Sequence, residues 1–96
     1  MTADSFRTAL EAIPEGYSEG IFDGRRYRVE KSSLAGGKSV KLVAWELGGN
    51  DYISLNHYRL ARGDRLYPCE MPEAKVRAFV TGLQGIRQTG GTGPDQ

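Results

Sequence analysis

Residues 37–60, GKSVKLVAWELGGNDYISLNHYRL, decide the fold of this chain. The stretch reads as two alternating strands joined at Gly48-Gly49. Alternation puts Val40, Leu42 and Ala44 on one side and Lys41, Val43 and Trp45 on the other. A two-residue turn at Gly48-Gly49 sets Leu47 opposite Asn50, Trp45 opposite Tyr52 and Lys41 opposite Asn56, with Tyr58 following on the same side. Ile53 and Leu55 then join the side of Val40. One face has the composition of a core. The other mixes aromatic rings with cations and amides, as a binding surface does.

Working outward, Asp23-Gly24 between residues 17–22 and 25–32 is a strong hairpin signal, pairing Ile21 with Arg26 and Phe22 with Arg25. Residues 33–38 read as a Ser- and Gly-rich loop, and residues 61–64 as a turn. Residues 65–69 form a short extended piece that Pro68 confines to a sheet edge. Residues 4–13, DSFRTALEAI, fit a short amphipathic helix capped by Asp4 or Ser5, with Phe6, Ala9, Leu10 and Ile13 at helical spacing. Met71-Pro72-Glu73 opens a second helix, with Pro at its first position and Val76, Phe79, Val80 and Leu83 as its apolar stripe. Gly82 and Gly85 end it. The reading is an α+β domain over residues 1–87: an antiparallel meander of four to five strands, a short N-terminal helix, and a C-terminal helix packed on one face. Residues 88–96, with nothing to bury, are expected to be a disordered tail. The C-terminal helix should cover Phe22, Tyr27, Val29, Val40, Leu42, Ala44, Ile53 and Leu55, each worth roughly 1.5–3 kcal/mol when buried.

The chain has 96 residues, 39% hydrophobic and 26% charged, which suits one globular domain rather than a disordered chain. Thirteen Lys and Arg against 12 Asp and Glu leave a net charge of +1, so there is no global basic field. Nucleic-acid binding would have to come from local placement of cations. The single cysteine, Cys69, cannot make an internal disulfide and favours a reducing compartment. No apolar run approaches the ~20 residues of a membrane span, and the first residues lack a cationic start followed by an apolar core. A cytoplasmic protein with no membrane partner is expected.

The face opposite the core collects Tyr17, Ile21, Arg26, Arg28, Lys41, Val43, Trp45, Tyr52, Ser54, Asn56 and Tyr58. Cations reach phosphates and aromatic faces stack unpaired bases. Arg26, Arg28, Lys41, Trp45, Tyr52, Asn56 and Tyr58 are therefore the candidate binding residues, and single-stranded DNA or RNA is the ligand they suit. Ile21, Val43 and Trp45 are also apolar enough for a second core layer, covered by the N-terminal helix or by a second copy in a homodimeric structural or adaptor protein. A third reading is a small enzyme depending on Cys69. No residue set specifies a reaction, so no catalytic residue is assigned and no cofactor or metal is expected. A binding module is favoured over an enzyme.

Four strands followed by a helix entered through LYPCEMPEAKVRAFV, over roughly residues 17–83, resemble the layout of the positive-cofactor-four family of transcription coactivators. That resemblance implies a dimer gripping single-stranded DNA on a curved sheet, with Arg26, Arg28, Lys41 and Trp45 against the strand. The segments GRRYRV, ELGGNDYISLNHYRL and LYPCEMPEAKV are also similar to small uncharacterised bacterial proteins that sometimes carry a methionine sulfoxide reductase label. The Gly-Cys-Phe-Trp element of the first class of those reductases and the paired Cys-x-x-Cys ligands of the second are absent from the sequence. Glu70 and Glu73 beside Cys69 disfavour a thiolate. His57, the single imidazole, shares the parity of Ile53 and Leu55 and reads as a structural histidine, a dyad with Cys69 being the alternative. Gly37-Lys38-Ser39 precedes a strand rather than a helix and is a turn, not a phosphate loop.

Overall fold

The computed structural model describes residues 3–60 and 63–88, with side chains for all of these but residues 3, 4 and 35. Helix α1 (Ala3–Ala12) is followed by β1 (Gly16–Phe22), β2 (Arg25–Leu34), β3 (Ser39–Glu46), β4 (Tyr52–Leu60) and β5 (Gly63–Pro68), then by α2 (Glu73–Gly82) and β6 (Gln84–Gln88). The six strands form one antiparallel sheet in the order β5-β4-β3-β2-β1-β6. The expected meander is β1 to β5. The sixth strand is an addition, and its last residue is a correction: Gln88, expected to begin the disordered tail, ends Gln84–Gln88, which pairs with the free edge of β1, Arg87 opposite Glu19 and Gln88 opposite Ser18. Residues 89–96 of the expected tail lie outside the described residues. Gly20 gives this return room, since a Cβ there would lie 2.8 Å from Leu83 Cδ1 and 3.2 Å from the Gln84 carbonyl as the chain leaves α2 alongside β1.

The first hairpin turns at Asp23 (φ 54°) and Gly24 (φ 75°). Two successive positive φ angles are the mark of the tight turn whose twist matches that of its strands. Its pairs Ile21·Arg26 and Phe22·Arg25 are those expected. The central hairpin keeps the expected register, Trp45·Tyr52 and Lys41·Asn56, although its turn is wider than two residues. The Glu46 N–H bonds the Asp51 carbonyl at 2.9 Å, while the Leu47 N–H turns away to the Arg26 carbonyl of β2 at 2.8 Å. Leu47 therefore does not face Asn50. The Asp51 carboxylate anchors the loop, accepting from Tyr27 Oη at 2.8 Å and from Lys75 Nζ of α2 at 2.7 Å. Two smaller differences concern ends. Strand β2 runs on through Leu34 into a 3-10 turn at Ala35–Gly37, and Pro72 caps α2 from just outside it (ψ 143°) rather than opening its first turn. Asp4 falls within α1, and the residue before that helix lies outside the described residues. Residues 61–62 of the expected turn are likewise outside them, and Asp64 belongs to β5.

Both helices lie on the same face of the sheet. Phe6, Leu10 and Ile13 from the first helical segment and Val76, Phe79, Val80 and Leu83 from the second close over Tyr27, Val29, Val40, Leu42, Ala44, Ile53 and Leu55, all buried, with Phe22 packed at the margin. Tyr27 and Phe79 stack edge to face at 4.9 Å, and Phe22 and Phe79 at 5.3 Å. A buried cation shares this inner face. Lys31, 6% exposed, donates through Nζ to the Leu10 and Ile13 carbonyls, each at 2.8 Å. It thus adds a donor to the Leu10 carbonyl, which also accepts from the Ile13 N–H at 3.2 Å, bonds the Ile13 carbonyl, and places positive charge at the negative end of the helix dipole. Burial pulls the Lys31 pKa below its ordinary 10.5, against the opposing pull of Glu15 and Glu11. Lys31→Met keeps the aliphatic stem but removes the donor to the Ile13 carbonyl and leaves the Leu10 carbonyl only the Ile13 N–H. Urea denaturation followed by circular dichroism should show a loss of roughly 2–4 kcal/mol, since bonds from a charged donor are the stronger kind.

Candidate functional site

With both helices on the inner face, no described helix or strand covers the outer one. Antiparallel partners point the same way, so the registers lay that face out in cross-strand rows. Glu19, Arg28, Trp45 and Tyr52 form one row from β1 to β4. Tyr17, Glu30, Val43 and Ser54 form the next, and Ser32, Lys41, Asn56 and Tyr67 the third. Ser39, Tyr58 and Arg65 lie beyond. All seven candidate binding residues, Arg26, Arg28, Lys41, Trp45, Tyr52, Asn56 and Tyr58, share this one surface. Trp45 and Tyr52, at the loop end of β3 and β4, are 42% and 41% exposed.

Their partners differ. Arg26 Nη2 bonds Glu19 Oε1 at 2.9 Å, so part of its charge is already matched. The Arg28 guanidinium stands over the Tyr17 ring, 4.8 Å from its centroid. Tyr58 meets Tyr67 edge to face at 5.6 Å, and this second aromatic pair lies two rows from the first. The face holds Arg26, Arg28, Lys41, Arg65 and Arg87 against Glu19 and Glu30. A chain of net charge +1 has therefore gathered a local excess of cations on one side. Arg65, Arg87 and Tyr67 were missed from the sequence. Arg65 and Tyr67 could have been found by extending strand parity into β5, but Arg87 sits on a strand with too little apolar pattern to announce itself.

Between β2 and β3 the face has a depression of about 220 Å³, lined by Glu30, Ser32, Lys41, Val43 and Trp45. No family model, curated protein or solved structure matches the chain. The outer face must therefore be interpreted from its own chemistry.

Cys69 and His57 are on opposite sides of the sheet, which ends the idea of a dyad. The Cys69 N–H bonds the Ser54 carbonyl, and its Sγ accepts from Asn56 Nδ2 at 3.8 Å on the outer side. His57 points inward and is 2% exposed. Its Nε2 is 3.2 Å from Asp64 Oδ2, which also accepts from Arg7 Nε of α1 at 3.1 Å. The His57 ring packs on Phe6 at 5.7 Å, and Arg77 of α2 covers the other part of Phe6 at 5.0 Å. Together with Gly63 and Leu66, these groups line a second pocket of about 220 Å³. The cluster ties α1 to the β4–β5 edge. Sequence parity placed His57 correctly but gave no sign of Asp64 and Arg7, which are 57 residues apart.

Burial holds the His57 pKa below its ordinary 6.5, with Arg7 and Arg77 adding to the depression and Asp64 opposing it. The unfolded chain then takes up this proton before the folded one does. The stability that neutral His57 contributes is complete above about pH 6.5 and is lost as pH falls from there towards the depressed folded value. Melting temperature measured from pH 7.5 downward should start to decline near pH 6.5, and His57→Gln should remove the part of that decline that precedes carboxylate titration.

Proposed function

We propose that this protein is a small binding module that takes single-stranded nucleic acid on the outer face of its sheet. The observation that carries the reading is the row Arg28, Trp45, Tyr52, uncovered by either helix and flanked by Arg26 and Lys41. Indole and phenol rings give unpaired bases a sequence-tolerant stacking surface, and the surrounding cations attract the phosphates. Asn56, Tyr58 and Tyr67 extend the same chemistry towards β5. The resemblance to positive-cofactor-four coactivators implies the same roles for Arg26, Arg28, Lys41 and Trp45. A lone thiol fits a reducing, cytoplasmic setting for such a module.

Homodimerisation through this face is the second reading. It rests on Ile21 (45% exposed) and Leu47 (40%) beside Trp45. Two copies meeting there would bring like-charged arginines together, which costs energy that an anionic ligand recovers.

Trp45, the one tryptophan in the chain, reports directly on its own site. Its fluorescence should be quenched by an oligonucleotide of about 12 nucleotides, within the usual range of single-strand site sizes. If Arg26, Arg28 and Lys41 each neutralise one phosphate, affinity falls about 20-fold between roughly 50 and 200 mM salt. Trp45→Ala, followed by anisotropy of a labelled strand, should weaken binding by the worth of one stacked base, roughly 1–3 kcal/mol. Unchanged fluorescence at low salt with micromolar protein removes the reading, and a concentration-dependent dimer in sedimentation would then favour the second.

A further inference from the structure

Of the two acids on the outer face, Glu19 is matched by Arg26, but the other is one that a surface for phosphates alone should not have. Glu30 stands in the middle of the face, opposite Val43, with Arg28 and Ser32 at the neighbouring outward positions of its strand. A carboxylate there repels an anionic strand and lowers its affinity unless the ligand donates hydrogen bonds to it. Phosphates cannot donate, but base edges can. Among the described residues Glu30 has no ion-pair partner, and neither has Lys41, although the two occupy diagonal positions across the β2–β3 pair. Diagonal neighbours are about 7–8 Å apart, and side chains that point outward from them can take a base edge between their ends.

The depression these residues line has Val43 at its centre and Trp45 at one end. Its volume of about 220 Å³ leaves room for a planar heterocycle. Resting on the single-strand reading above, we infer that this depression is a nucleobase pocket selective for guanine. Trp45 stacks on the base, Glu30 accepts from its N1–H and N2–H, and Lys41 donates to its O6. Guanine alone presents two adjacent donors with an acceptor next to them. Adenine and cytosine each offer one amino donor beside a ring-nitrogen acceptor that a carboxylate repels. Thymine and uracil flank their single N–H with two carbonyls. Ser32 adds a hydroxyl that can donate or accept at the rim.

The test compares an oligothymidylate with the same strand carrying one central deoxyguanosine, and with inosine, adenine or cytosine in its place, by anisotropy at low salt. The guanine strand should bind about tenfold more tightly than the oligothymidylate, in line with one bidentate pair. Inosine, which lacks the N2 amine, should lose much of that gain, and adenine and cytosine should show none of it. Glu30→Gln should abolish the preference while tightening the oligothymidylate, because a negative charge is gone. Lys41→Ala should weaken every strand and the guanine strand most. Equal affinities for all five strands, with Trp45 still responding, would overturn the guanine pocket and leave single-strand binding standing. Absence of binding to any strand would overturn both.

Discussion

The packing of both helices against one face of a single sheet is the constraint from which the rest follows. Each helix has an apolar stripe of a few residues, Phe6, Leu10 and Ile13 leading one and Val76, Phe79 and Val80 the other. Neither stripe could close a core alone over five strands. Side by side they do, touching each other as well as the sheet, with Arg77 lying over Phe6. Because a strand turns alternate side chains to opposite faces, committing Val29, Leu42 and Leu55 inward commits Arg28, Lys41 and Asn56 outward. A slip of one residue would exchange the two sets entirely.

The inner side is not purely apolar, and its polar members hold the elements in place. Lys31 closes the end of α1. Asp64 links β5 to Arg7 of α1 and to His57 of β4. Asp51 joins the loop after β3 to Tyr27 and to Lys75 of α2. The bond from Lys75, helped by that from Tyr27, keeps the Asp51 carboxyl below its ordinary range despite burial. Burial and the bond to Asp51 push the Tyr27 hydroxyl up to about 12, so that donor stays protonated across the physiological range. The Trp45·Tyr52 pair borders the loop that Asp51 anchors, and its position on the outer face is fixed from behind the sheet.

Charge is divided between the two sides. The near-neutral sum hides a cation-rich outer face and leaves the rest of the chain with excess acid, part of it spent in the bridges just described. Bulk charge is a poor guide for a sheet of this kind, because partners meet the local field within about a Debye length of one face. Two acids interrupt that field: Glu19 is bonded by Arg26, and Glu30 has no ion-pair partner among the described residues.

The sequence by itself determined the local pairings. Asp-Gly fixed the first hairpin. Alternation on both sides of Gly48-Gly49 fixed Trp45 opposite Tyr52 even though the turn opened wider than two residues, because register depends on the sum of paired positions and not on the turn's shape. Pro68 marked β5 as an edge, and helical spacing marked both helices. Only the tertiary structure decided which side of the sheet α1 would take, and with it that the aromatic face stays bare, since an amphipathic stripe does not say which apolar surface it will meet. The same is true of β6: QGIRQ has one aliphatic side chain and becomes a strand by pairing with the open edge of β1. The His57–Asp64–Arg7 cluster and the Lys31 cap belong with it. They are long-range contacts, formed by the fold and carrying no local period that a sequence could display.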